Sequence, residues 1–379
     1  MRDVFVLGIG QTVFGKFPDR SAHSLGREAV GAAIRDSGID PRELEVVKTA
    51  RMLDSTTDSQ KIMMSFGVTG IEMMNVENAC AGGSSAVHSV WADIATGRYD
   101  VGLAIGVESI NSRPKSGPLS ASEDLEAELG QHMPGLFANL ARRQMEVFGA
   151  TREDFAEVSA KNHRHAVHNP YAQYRKEVSV EEVLNSTMIA DPITLLQCCP
   201  NSDGAAAVIL CSAEFARRYT TKLIQIRGSS LVSGTYDFSQ SETTLFDFGT
   251  MATEKAYTMA GIAPEDIDVV EIHDAFANEE LLRYEDLLIC ERGEGANLLR
   301  SGATALGGRV PFNPSGGLLS LGHPLSASGV RVVADIARQL RGDSGGTQVE
   351  GAKLGIANML GGVATGLQGG ACSIQVLSR

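Results

Sequence analysis

Ser37–Val47 reads SGIDPRELEVV, and Ala260–Val270 reads AGIAPEDIDVV. The Gly, Ile and Pro and the closing Val-Val pair are identical, and most other positions keep their type. In the first copy Gly38 stops a helix, Asp40-Pro41-Arg42-Glu43 opens a short helical turn, and Val46-Val47 begins a strand. Recurrence of the whole passage from helix to strand indicates a duplicated unit. A second match pairs Ala92–Ala95 with Ala334–Ala337, both Ala-Asp-Ile-Ala, at a wider spacing. That spacing requires an insertion in the second copy, placed within roughly 280–312. The expected architecture is α/β, with halves 1–222 and 223–379 packed about a pseudo-two-fold axis.

Carried back along the chain, the second match sets Cys80 against Gly322 and Ala81 against His323. Cys80 lies in Asn75–Trp91, NVENACAGGSSAVHSVW, where an apolar run gives way to Gly-Gly-Ser-Ser and then a helical pattern. A thiol at a helix start sees the positive end of the macrodipole, which favours the thiolate. Small residues after it leave room for a carbonyl and for backbone N–H donors. A buried packing cysteine has the same local signature. The repeat weighs against that reading, because symmetry-related helix starts bring Cys80 and His323 together as nucleophile and base.

Outward from these segments, Val4–Gly8 and Asp100–Glu108 read as strands, and Ser21–Ser37 as a helix with Ser24 as its cap. Residues 111–200 differ in texture, with Pro114, Pro118, Pro134 and Pro170, a charged run near Ser122 and amphipathic helices at about 135–148 and 151–167. They read as an insertion carrying binding surface. The chain returns to a buried strand at Val208–Cys211, and a linker near 213–222 follows. The net charge of −13 argues against a nucleic-acid binder. Six cysteines without CxxC spacing indicate neither a disulfide framework nor a zinc site. No apolar run reaches membrane-spanning length and no leader pattern precedes the first strand, so no membrane partner is expected and a cytoplasmic location is.

Together these residues resemble the thiolase superfamily, most specifically its sterol-carrier-type and archaeal members, whose signature is HD(C/A)F where other thiolases have NEAF. This chain has His273-Asp-Ala-Phe276, with KNHRHAVHNPYAQ at 161–173, SDGAAA at 202–207 and GGLLSLGHPLSASG at 316–329. The resemblance covers essentially the whole chain and implies a thiolase-like five-layered αβαβα fold that is at least dimeric. It implies Cys80 as acyl-accepting nucleophile, His323 as the histidine that activates it, and His273 as the group polarising the thioester oxygen. The backbone N–H groups of Cys80 and Gly361 would form an oxyanion hole. The implied reaction is thiolysis of a 3-oxoacyl-CoA through an acyl-cysteine, or the reverse Claisen condensation. Coenzyme A would be a substrate, with no tightly bound cofactor and no metal. The acyl group could be bulky, branched or aromatic, like benzoylsuccinyl-CoA, or that of acetoacetyl-CoA. A retro-aldolase of the same fold and a non-catalytic acyl-CoA-binding subunit are the alternatives. The resemblance also implies a small zinc-ribbon/OB-fold partner. Arg142, Arg143 and Arg164 are candidates for the CoA phosphates.

The chain departs from the family in one respect. Thiolases carry a second cysteine as acid/base, in HDCF or in a C-terminal Cys-x-Gly; here position 275 is Ala and the C-terminal loop, expected to follow a strand, reads Asn358-Met-Leu-Gly361-Gly362. Cys372 and the adjacent Cys198-Cys199 pair are assigned to packing. His323, His273 or a water between them remain as proton donors to the enolate. His163, His165 and His168 lack the spacing of a metal site.

Overall fold

A computed structural model describes residues 1–54, 56–112, 125–219, 222–235, 247–364 and 368–379. Pro114, Pro118 and the start of the charged run near Ser122 lie outside them. The strands are β1 (Val4–Gln11), β2 (Val46–Ala50), β3 (Glu72–Val76), β4 (Val101–Glu108), β5 (Met188–Ala190), β6 (Ile193–Thr194), β7 (Gly204–Ser212), β8 (Ile224–Val232), β9 (Val269–Glu271), β10 (Leu354–Ala364) and β11 (Gln368–Ser378). β5 and β6 make a separate hairpin; the other nine run in the order β3-β2-β4-β7-β1-β8-β11-β10-β9.

That order is nearly a palindrome. β1, β7, β4 and β2 are answered by β8, β11, β10 and β9, and each parallel or antiparallel pairing recurs. The two sets join where Val6 pairs with Ile224 and Phe5 with Gln225. The counterpart of β3 shrinks to a single parallel bridge, Val270 with Phe312.

Side-chain alternation along the strands separates the layers. On β7, Ala205, Ala207 and Ile209 join the cluster under the helix Ala22–Ser37, whereas Ala206, Val208 and Leu210 face the central helices Gly82–Ala95 and Leu325–Arg341. On β10, Ala357 and Met359 also face those helices, and Ile356 and Leu360 join the cluster holding Ala252 and Ala256 of the outer helix Asp247–Ala260. Helix, sheet, helix pair, sheet, helix is the five-layered αβαβα order. The central helix Leu325–Arg341 is buried around nearly its whole circumference, as a helix between two sheets must be.

The central helices touch backbone to backbone. A Cβ on Gly83 would stand 2.1 Å from the Ser326 carbonyl oxygen, and one on Gly329 would stand 2.4 Å from Ser84 N. Only glycine permits that approach, and it draws the two helix starts together.

Two local expectations change. Ser21, not Ser24, caps the first helix: Ser21 is still extended and its Oγ accepts the Ser24 N–H at 3.2 Å. Asn358–Gly362 lies within β10 rather than after it, because the β10–β11 ladder continues to Ala364. The helices Met133–Phe148 and Arg152–Ala166 form where the amphipathic pattern placed them. Their buried Phe137, Phe155 and Val158 join the apolar cluster of the second half, with Leu281, Phe312 and Leu318. Among the described residues no helix is long and apolar enough to cross a membrane.

Candidate active site

Between β3 and the helix Gly82–Ala95 the chain makes a 3₁₀ turn, Ala79–Ala81, with half-buried Cys80 at its centre. Ala79 sits in the left-handed region at φ 48°, where a residue with a Cβ is strained. The turn is fixed by the Ala79 N–H donating to Glu77 Oε1 at 2.6 Å and the Ala81 N–H donating to the Asn78 carbonyl at 3.1 Å. The Ser84 and Ser85 hydroxyls donate back to the Ala81 carbonyl, both at 2.9 Å. Gly361 of β10 lies against this turn: a Cβ there would be 2.2 Å from the Asn78 oxygen and 2.5 Å from Ala81 N.

Two histidines face the thiol. His273 follows β9, and His323 precedes the helix Leu325–Arg341. Donor atoms of Cys80, His273 and His323 all lie within 4.8 Å of one another, and the two rings meet edge to face with centroids 5.3 Å apart. Both imidazoles are at least nine-tenths buried, and Nε2 of each lacks a hydrogen-bond partner. Unpaired polar atoms buried this deeply are the places where a substrate oxygen or a transferred proton would go.

The other ring nitrogen sets each histidine's character. Nδ1 of His273 is 2.8 Å from Glu279 Oε1. Burial pulls the His273 pKa down, but the Glu279 carboxylate and the nearby Cys80 sulfur outweigh it and raise the value to about 10. His273 is therefore an imidazolium near neutral pH, donating Nδ1–H to Glu279 and presenting Nε2–H to the site. Nδ1 of His323 is 2.9 Å from Ser328 Oγ. Burial, then the charges on His273 and Arg331, hold its pKa well below the ordinary value, so it is neutral. With Nδ1–H given to Ser328, its Nε2 offers a lone pair for the Cys80 proton. The three donors are close enough to share one soft cation, but protonation of His273 withholds one of them.

A buried polar layer holds these loops. Asp274 accepts the Leu318 N–H at 2.6 Å and the Asn162 amide at 2.9 Å, tying the His273 loop to the segment before His323. Burial and the neighbouring Glu280 push the Asp274 carboxyl well above its usual range. Glu280 gathers Lys161, Asn162, Asn313 and Tyr284. Glu271 binds Arg331 and accepts from both Ser315 groups. His165 takes a packing role, with Nδ1 3.0 Å from the Asn313 carbonyl and Nε2 accepting the Leu306 N–H.

Arg142 and Arg164 are exposed and ion-paired, to Asp191 and Glu157, and Arg143 is exposed on the same helix as Arg142. Cys372 is fully buried beside Asn358, as expected for packing. Cys198 and Cys199 are only half-buried, against the expectation of a fully packed pair. The extended strip 198–202 borders the site instead of entering the core: Cys198 bridges Phe276 and Asn201 bridges His323. Sequence reading missed Glu279, Ser328 and Ser202, whose Oγ accepts the His323 N–H at 3.1 Å. For Glu279 a signal existed, a carboxylate on the first turn of the helix that follows the HDAF string.

Residues 4–214 match the family model "Thiolase, N-terminal domain", and residues 231–368 match "Thiolase C-terminal domain-like". An acetyl-CoA acetyltransferase of Methanothermobacter thermautotrophicus is 40% identical over the full length of both chains. The benzoylsuccinyl-CoA thiolase subunit BbsB of Thauera aromatica is 39% identical over 92% of each. Sterol carrier protein 2 of Bos taurus is 36% identical, covering 94% of this chain and 70% of its own. Among solved structures, the Ltp2-ChsH2(DUF35) aldolase superposes with a TM-score of 0.86 at 28% identity, over 100% of this chain and 98% of its own.

Proposed function

The chain belongs to the thiolase family and is an acyltransferase, and on that premise we propose that it cleaves a 3-oxoacyl-CoA by thiolysis through an acyl-Cys80 intermediate, or runs the reverse condensation. The observation that carries this reading is the cluster of Cys80, neutral His323 and cationic His273 within 4.8 Å, with both Nε2 atoms unpaired. His323 takes the Cys80 proton, the sulfur attacks the β-keto carbon, and the His273 cation polarises the thioester oxygen as the α-carbon acquires charge. The N–H groups of Cys80 and Gly361 are assigned to the acyl oxyanion. Coenzyme A is a substrate here, not a resident cofactor.

Mass spectrometry of the protein after incubation with acetoacetyl-CoA is expected to find an acetyl group on Cys80. A Cys80→Ala variant is expected to lose turnover by at least about 10⁴-fold, the scale on which enzymes lose a covalent nucleophile. No adduct, together with near-full turnover in Cys80→Ala, would support a retro-aldolase instead. That second reading draws on the aldolase among the structural neighbours and on Ala275, the alternative to cysteine in the HD(C/A)F signature.

For the acyl group we favour acetoacetyl-CoA or a bulky, branched or aromatic chain, since one relative is an acetyl-CoA acetyltransferase and another a benzoylsuccinyl-CoA thiolase subunit. A cavity of about 650 Å³ lined by Leu129–Gly130, His132, Asn139 and Ile189–Ala190 lies in the insertion, beside the Arg142–Asp191 pair. We assign that region, with Arg142, Arg143 and Arg164, to the CoA end of the substrate. A homodimer core, a small zinc-ribbon/OB-fold partner and a cytoplasmic location complete the proposal. The partner draws on the DUF35-containing neighbour, and the location on six free cysteines.

A further inference from the structure

We propose that the Cys199 thiol is the second proton carrier of this site, delivering a proton to the α-carbon of the departing enolate and recovering it from the CoA thiol; this rests on the acyl-Cys80 reading. The position is set by backbone contacts on both sides. The Cys199 N–H donates to the Ala275 carbonyl at 2.8 Å, so Cys199 lies directly against the residue that replaces the missing cysteine. Two residues on, Asn201 bridges His323, and Ser202 accepts the His323 N–H. The strip 198–202 thus spans the gap between the two histidine loops. It is extended at Cys198, whose sulfur turns to the Thr194 carbonyl at 3.5 Å. Alternation then turns Cys199 to the opposite side.

After the adjacent Cys198, the groups whose charges its thiol feels are Cys80, Asp274 and Glu279. The remaining cysteines have other surroundings: the Cys198 sulfur turns to Thr194, Cys372 lies beside Asn358, and Cys290 has Glu285, Glu291 and Glu294 as its charged neighbours. The buried, unpaired Nε2 atoms of His273 and His323 independently mark this space as the place a ligand fills. Burial holds the Cys199 thiol well above its ordinary pKa, so it enters the cycle protonated.

The step balances. As the Cα–Cβ bond of the Cys80 adduct breaks, its electron pair passes to the α-carbon as an enolate. The Cys199 S–H bond breaks, the proton forms the new C–H of the released acyl-CoA, and the sulfur keeps the pair. Free CoA then gives its thiol proton to the Cys199 thiolate, and the CoA sulfur attacks the acyl carbon. Cys80 leaves as thiolate and recovers its proton from His323.

The test is the full chain with acetyl-CoA in D₂O, following acetylation of Cys80 and deuterium entering the acetyl methyl group. Wild type is expected to do both. Cys199→Ala and the nearly isosteric Cys199→Ser are expected to acetylate Cys80 more slowly, because the same thiol protonates the departing CoA sulfur, yet to reach the wild-type level of adduct, and to slow the exchange by about 100-fold, the usual worth of a general acid–base group. Exchange at the wild-type rate in either variant overturns the proposal. A final adduct missing from both variants, however long the incubation, also overturns it, because Cys199 would then be structural. Absence of the adduct in wild type instead overturns the acyl-Cys80 reading, and the proposal with it.

Discussion

At the scale of single residues, the site divides one chemical group into two tasks. His273 and His323 are both buried imidazoles beside the same sulfur, yet Glu279 makes one a cation and Ser328 leaves the other neutral. Replacing Glu279 by Gln removes the larger of the two groups that oppose burial and leaves only the Cys80 sulfur, so the His273 pKa falls from about 10. The wild-type rate is expected to decline only as pH rises through that value. In Glu279→Gln the decline should begin at lower pH, with turnover on the alkaline side down by up to about 10²-fold, the scale of losing one oxyanion donor. A pH–rate profile for acetoacetyl-CoA thiolysis checks this, and an unshifted profile would sink it. The same pair bears on stability. A His raised from 6.5 to about 10 contributes stability that is full below 6.5 and lost as pH rises through 10. Chemical denaturation across that window should show wild type losing stability toward high pH more steeply than Glu279→Gln.

At the scale of elements, the active site depends on the crossing of two helices and on one strand edge. Gly83→Ala forces a methyl against the Ser326 carbonyl, and a cost of about 1–3 kcal/mol is expected in urea unfolding, as for other overpacked sites. Gly361→Ala pushes on the Cys80 turn itself, so it should lower turnover by about 100-fold, as misplacements near 1 Å do. Full activity in that variant would remove Gly361 from the site. These elements were readable in the sequence to different depths. Gly38, Pro41 and Val46-Val47 announced a helix stop, a turn and a strand because such residues act locally. Their recurrence at Gly261, Pro264 and Val269-Val270 carried the paired architecture. Glu279 and Cys199 could not be read in that way. Glu279 left only its place on the first turn after HDAF as a signal, and Cys199 left none, because lying beside Ala275 is a contact that chain spacing does not encode. The Asn358–Gly362 segment misled because a Gly pair looks like a loop until its partner strand is known.

At the scale of the whole molecule, the helices Met133–Phe148 and Arg152–Ala166 are built into one apolar cluster with residues from the C-terminal part of the chain. Phe137 stacks on Phe276 with ring centroids 4.4 Å apart, and Gln144 and Asn278 exchange hydrogen bonds at 3.1 Å. Lys161 and Asn162 reach Glu280 from the next helix. Phe137→Ala is expected to cost about 3–5 kcal/mol in denaturant unfolding, the range for a buried aromatic. It should also lower thiolysis, because the Phe276 loop carries His273. Stability loss without any change in turnover would show that the insertion does not support that loop.

This interlocking also bears on how the chain is made. Phe137, Phe155 and Val158 leave the ribosome long before Leu281, Phe312 and Leu318, their partners in the finished cluster. At common synthesis rates the wait is roughly ten to thirty seconds. During it, two amphipathic helices hold bare apolar faces in solution. A chain stopped at residue 222 is therefore expected to bind a hydrophobic dye more strongly than the finished protein does.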